Sequence, residues 1–178
     1  MTVPDVHRCT VTHRVTIGQS TLLFGVDRCS ALVGWCVVRP CHDAEMHTTN
    51  YVNTLIVVAP DTKAVAATEP PTGKGSVAEL QFEMLHGHDY EFTSDDVVFG
   101  VFADRKNIAA EDRGPARETF FSKGQACLRT SPLAKTYGWG VHADAHSRIA
   151  LVPMDSSRYD SLMNDETTAK RAAMKSSR

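Results

Sequence analysis

The sequence predicts an α+β fold: a small single domain with one buried strand, three to four short helices and a C-terminal β-hairpin. Three observations carry this. Residues 54–59, Thr-Leu-Ile-Val-Val-Ala, form a compact β-branched run stopped by Pro60-Asp61. Two boxes of Ser or Thr followed three residues later by an acid, Ser76 to Glu79 and Thr93 to Asp96, mark helix starts. Two strand-type runs, 137–143 and 148–152, flank the turn 144–147.

Taken in order, 54–59 reads as the buried strand, and 64–75 as a loop because Pro70-Pro71 excludes regular hydrogen bonding there. After the Ser76 cap, Val77, Leu80, Met84 and Leu85 fall on one helical face until Gly87 ends the segment. The Thr93 box puts Asp95 and Asp96 into a first turn, where the helix dipole favours them. The apolar stretch 97–103 therefore reads as buried helix, with Arg105-Lys106 suited to its C-terminal end. Gly114-Pro115 opens a third helix, Phe120 and Phe121 pack inward, and Gly124 is its expected stop. The hairpin follows. Ser156 or Ser157 then caps a short helix carrying Tyr159, Leu162 and Met163, and 164–178 reads as a flexible polar tail.

The domain is expected over 46–163, because composition changes at Met46. Cys9, Cys29, Cys36 and Cys41 precede it and all seven lysines follow it. Three readings of 1–45 compete. Cys36, Cys41, His42 and His47, with His7, Cys9 and His13 in reserve, are zinc-type ligands, but Cys41 abuts His42 and adjacent residues rarely reach one tetrahedral centre. A disulfide framework conflicts with the lack of a secretory pattern. The preferred reading is an extension that is poorly ordered or not made, with translation starting at Met46.

A 42% apolar, 22% charged composition with few Gly and Pro excludes collagenous and disordered classes. The longest uncharged stretch near the N-terminus, 15–26, is too short for a membrane span. A net charge of −2 argues against a nucleic-acid or anionic-membrane footprint. No cofactor is expected, and a cytoplasmic location is.

The body carries a series of local motifs: Met46-His-Thr-Thr-Asn-Tyr51, Tyr90-Glu-Phe-Thr-Ser-Asp-Asp96, Phe120-Phe-Ser-Lys-Gly-Gln125, Cys127-Leu-Arg129, Ser131-Pro-Leu133 and Tyr137-Gly-Trp-Gly-Val-His142. In this order they resemble an uncharacterised bacterial family, a domain of unknown function, over roughly 46–159. The resemblance implies a body beginning at Met46 and carries no activity.

Chemistry-bearing residues concentrate in 123–142. Between Arg113 and Arg148 six basic residues face two acids, whereas 76–104 holds seven acids and no Lys or Arg. One reading is an anion pocket: Arg129 as a bidentate fork, Lys123 and Lys135 as point charges, Trp139 as a stacking face and His142 beside them. The other is that the two charged segments pair within the fold or across a homodimer. An enzyme reading makes Cys127 the nucleophile of a hydrolase or transferase, His142 its base and Arg129 the stabiliser of an anionic intermediate. A phosphatase loop is excluded, since only Leu128 separates Cys127 from Arg129. His86, His88 and Asp89, with His142 and His146, form a second candidate metal set, against which stands an ordinary polar turn. Thr72-Gly-Lys-Gly-Ser76 resembles a phosphate loop but has Thr68 at the upstream glycine position and Gly75 after Lys74. Trp139 also reads as core, given the area it buries. The leading expectation is a non-catalytic protein that binds a small anionic ligand or partner near 123–142; a dimerising structural protein is a further alternative.

Overall fold

The computed structural model describes residues 47–176, and the Cys36, Cys41 and His42 candidates lie outside them. The elements are β1 (Thr54–Val57), α1 (Val77–Leu85), α2 (Ser94–Arg105), α3 (Arg113–Phe121), α4 (Pro132–Thr136), β2 (Trp139–Ala143), β3 (Ile149–Pro153), α5 (Ser157–Asn164) and β4 (Ala169–Ala172). The α+β class holds. No helix of the described residues is long and apolar enough to cross a membrane.

The four strands order as β3-β2-β1-β4. β2 pairs antiparallel with both β3 and β1, and β4 pairs parallel with β1. Both faces of the sheet are covered, which is why β1 and β3 read as continuous apolar runs rather than alternating ones. Ile56, Trp139, Val141, Ala143, Ile149 and Leu151 face a core completed by residues of α1, α2 and α4. Leu55 and Val152 face Tyr159 of α5. Gly140 makes room for that ring: a Cβ there would lie 2.7 Å from Tyr159 Cε2. A third cluster, Phe99, Ala103 and Phe121, joins α2 to α3.

Both boxes cap their helices reciprocally, Ser76 with Glu79 and Thr93 with Asp96. The buried face of α1 differs from the expected one: Ala78, Gln81 and Leu85 are buried, while Val77, Leu80 and Met84 are only half so. α3 begins at Arg113, so Pro115 occupies its third position, still in the first turn where no intrahelical donor is needed. It stops at Ser122, whose hydroxyl donates to Thr119 O, before Gly124 is reached.

The expected polar tail is corrected. Ala169–Ala172 form an edge strand, with Ala169 N donating to Asn53 O at 2.8 Å and Ala173 N to Val57 O at 2.8 Å. Its signal is weak because an edge strand beside one neighbour buries little: only Ala173 after it is fully enclosed. Lys170 and Arg171 put charge on that edge, which discourages further pairing.

Candidate functional site

The end of α2 is shaped by Asn107, which takes a left-handed φ of 51°. Asn107 N donates to Asp104 O and Ile108 N to Ala103 O, a Schellman stop in which Asn replaces the usual Gly. Ile108 folds back onto the Phe99–Phe121 cluster, leaving Arg105 and Lys106 exposed at the helix end. Opposite them, the turn after α3 is held by Gln125 Nε2, which donates to Phe120 O at 2.6 Å. This presents Ala126 and Cys127 as a wall facing α1 and α2.

Between these elements lies a cavity of about 390 Å³ lined by Gln81 of α1, Val98, Val101 and Phe102 of α2, and Phe120 and Cys127. Arg105 and Lys106 line it as well. Phe102 and Phe120 also line a second groove, of about 510 Å³, which carries Lys123. Among the described residues, Arg105, Lys106 and Lys123 make no ion pair. Arg105 and Lys106 do complement the carbonyl end of the α2 dipole, but that end is solvated and leaves their charge available.

The Cys127 thiol meets Tyr51 Oη at 3.4 Å. That bond, followed by burial, raises the Tyr51 phenol above its ordinary pKa, and Arg129 opposes the rise. Arg129 is otherwise structural: its Nε donates to Ala172 O at 2.8 Å and its carbonyl accepts from Met174 N, tying the end of β4 to the segment before α4.

The other sequence candidates disperse. Trp139 is 8% exposed, donates Nε1–H to Thr68 O at 2.8 Å and packs edge-on against Phe82, so it is a core residue and offers no stacking face. Lys135 lines a separate depression with Asp61 and Lys63. The expected Cys127–His142 pairing does not form, because side chains alternate across a strand: Val141 faces the helical core, and His142 faces the opposite side. There His142 Nδ1 is 2.7 Å from Tyr90 Oη, which accepts from Arg158 Nη2 at 2.8 Å, and Arg158 pairs with Asp89. Burial, then the Arg158 charge, lowers the His142 pKa below 6.5. The expected anion pocket of Lys123, Arg129, Lys135, Trp139 and His142 is therefore not one site.

The metal-type residues also separate. His86 stacks on Phe82, His88 binds Glu91 and Asp89 binds Arg158, and no group of three possible ligands is assembled among the described residues. His47 N donates to Phe121 O. In the Gly-Lys-Gly loop, the backbone amides of Gly73, Lys74 and Ser76 donate to the Glu79 carboxylate. Burial pushes the Glu79 pKa up, but those amides outweigh it and hold the carboxyl below its ordinary value. A side chain thus occupies the place a phosphate would take.

The opposed charges of 76–104 and 113–148 meet inside the fold. Arg113 pairs with Asp104 and Arg117 with Asp96, joining α3 to α2. The motif at 47–51 likewise has a structural explanation. Asp95 Oδ1 accepts from Thr49 N and Thr49 Oγ1, each at 2.7 Å, and Oδ2 accepts from Thr48 Oγ1 at 2.7 Å and Asn50 Nδ2 at 3.1 Å. In return Asp95 N donates to Asn50 Oδ1.

Sequence reasoning missed Gln81, and it assigned Arg105 and Lys106 only to the helix dipole. A signal for Gln81 existed: it lies four residues after Val77, on a stripe otherwise apolar. No curated protein and no solved structure matches the chain. Residues 46–178 match the model of a family of unknown function, DUF6157, and the chain belongs to that family.

Proposed function

We propose that this domain is a non-catalytic binder of a small amphipathic anion, a carboxylate with an apolar body, held in the cavity between α1, α2 and the 120–130 segment. The observation that carries the reading is a cavity walled by Val98, Val101, Phe102 and Phe120 and edged by cations without ion-pair partners. Apolar walls with a few placed polar groups are what a small-molecule site requires. A site of about 390 Å³ suits a medium-length acyl or aryl group. Compared with the expectation of a site over 123–142, Lys123 and Cys127 stay beside it, and Arg105 and Lys106 supply the charge. A cytoplasmic setting suits the free Cys127 thiol at its wall.

The test is calorimetric titration with a medium-chain carboxylate and with the alcohol of equal chain length. The carboxylate is expected to bind more tightly, by a margin that shrinks with salt. Arg105→Gln with Lys106→Gln should remove most of that margin, and Phe102→Ala should weaken both ligands. Cys127→Ser should leave affinity nearly unchanged. Equal affinity for carboxylate and alcohol, or binding unaffected by Phe102→Ala, would refute the proposal.

A further inference from the structure

We infer that Gln81 reads an uncharged hydrogen-bond acceptor on the ligand, so that the occupant is a carboxylate bearing a second, carbonyl-type oxygen on its apolar body. This deepens the cavity reading above and rests on it.

Gln81 sits in the middle of α1, 5% exposed, and lines the cavity. One end of its amide is held by Ser131. Ser131 Oγ, the cap of α4, accepts from Leu133 N at 3.2 Å, and its own hydrogen then goes to Gln81 Oε1 at 2.6 Å. The Gln81 oxygen is thereby turned toward Ser131 and the NH2 group away from it. Among the described residues that NH2 group donates to no acceptor. Among the described residues no fully buried side-chain polar atom lacks a partner, so the Gln81 nitrogen retains some exposure, and the cavity that Gln81 lines is the space beside it.

The surrounding walls explain why no protein group satisfies it. Val77, Val98, Val101 and Phe102 offer no side-chain oxygen, and the Thr130 hydroxyl on the same cavity bonds Cys127 O at 2.9 Å and makes no hydrogen bond to Gln81. Unclaimed donors in a largely apolar pocket are costly when a purely hydrocarbon ligand displaces their water. A ketone, ester or amide oxygen would satisfy them. A second carboxylate suits the place less well, because the cations stand at the exposed end of α2 and a buried second charge would have none beside it. The cavity thus has a cationic edge for an anionic head and a donor on its buried α1 side for a neutral acceptor.

The experiment compares two probes of equal chain length, a straight-chain carboxylate and the same molecule with a ketone in its distal half. Wild type is expected to bind the keto acid roughly three- to tenfold more tightly, the value of one neutral hydrogen bond. Gln81→Glu keeps an oxygen for Ser131 but replaces the donor with an acceptor, and should abolish or reverse the preference. Gln81→Met keeps the volume without either group and should level the two probes, which guards against misreading a folding defect in the first variant. Equal affinity of the probes for wild type, with both binding, overturns the Gln81 inference and leaves the cavity reading standing. Preference surviving in both variants overturns it equally. If neither probe binds wild type, the cavity reading itself fails.

Discussion

Replacing Asp95 by Ala would release the segment 47–51 from the start of α2, and its cost follows from the geometry. The carboxylate accepts four hydrogen bonds, three of them at 2.7 Å. A bond to a charged group contributes ~1.5–3 kcal/mol at most, and since Asp95 is half-exposed, about 1 kcal/mol for each of the three short ones is the reasonable share. Loss of a carboxylate from the first helical turn adds about 0.5 kcal/mol. The total is about 3–4 kcal/mol, or a fall in Tm of roughly 10–15 °C for a domain of this size. Asp95→Asn retains one acceptor oxygen and should lose roughly half as much. Urea unfolding would give the loss as a lower midpoint at constant slope. Hydrogen exchange would show it locally, as lost protection of the Thr49 amide, which Asp95 binds directly. A loss below about 1 kcal/mol would refute the claim that this carboxylate fastens the segment.

Further outcomes follow from the same structure. Tyr159→Phe leaves Val58 N, now bonded to the phenol oxygen at 3.2 Å, without its partner and should cost about 1 kcal/mol in urea unfolding. Gly140→Ala drives a methyl against the Tyr159 ring and should cost about 2 kcal/mol, whereas Gly100→Ala meets only the flexible end of Met84 and should cost less. The His142 pKa is lowered by folding, so the unfolded chain binds the extra proton; stability should fall as pH drops from 6.5 toward the depressed value, and His142→Gln should flatten that limb of a stability-against-pH curve. Asp165 is held at about 2 chiefly by the Thr168 and Thr167 hydroxyls and the Thr167 amide; its contribution is present above 3.8 and lost as pH falls toward 2, and Asp165→Asn should remove that part of the acid titration. Deleting residues 169–176 uncovers the β1 edge and should increase self-association relative to wild type on a sizing column.

Local signals in the sequence determined much of the architecture. The reciprocal boxes at Ser76 and Thr93, the β-branched run at Thr54 and the polar turn at Asp144 act within a few residues, so α1, α2, β1 and the β2–β3 hairpin are legible without a partner in view. The hairpin turn is itself local: Asp144 Oδ1 accepts from both His146 N and Arg148 N. β4 and α4 were not legible. β4 exists because β1 offers it a row of backbone groups from more than a hundred residues away, and α4 is a single short turn begun by Ser131 and Pro132. The charged segments announced their opposition in composition, but only packing of α3 on α2 shows them pairing with each other. Cys127 and His142 suggest a nucleophile and base by residue type alone, and the strand alternation that puts His142 on the far face of the sheet separates them. Gln81 makes the same point in reverse. Sequence places it on a helix, while its unclaimed donors arise from how Ser131, brought in by a different element, orients its amide. Residue type and short spacing fix capping, turns and strand runs; which side chains share a site depends on sheet face and long-range contact, and only the tertiary structure decides those.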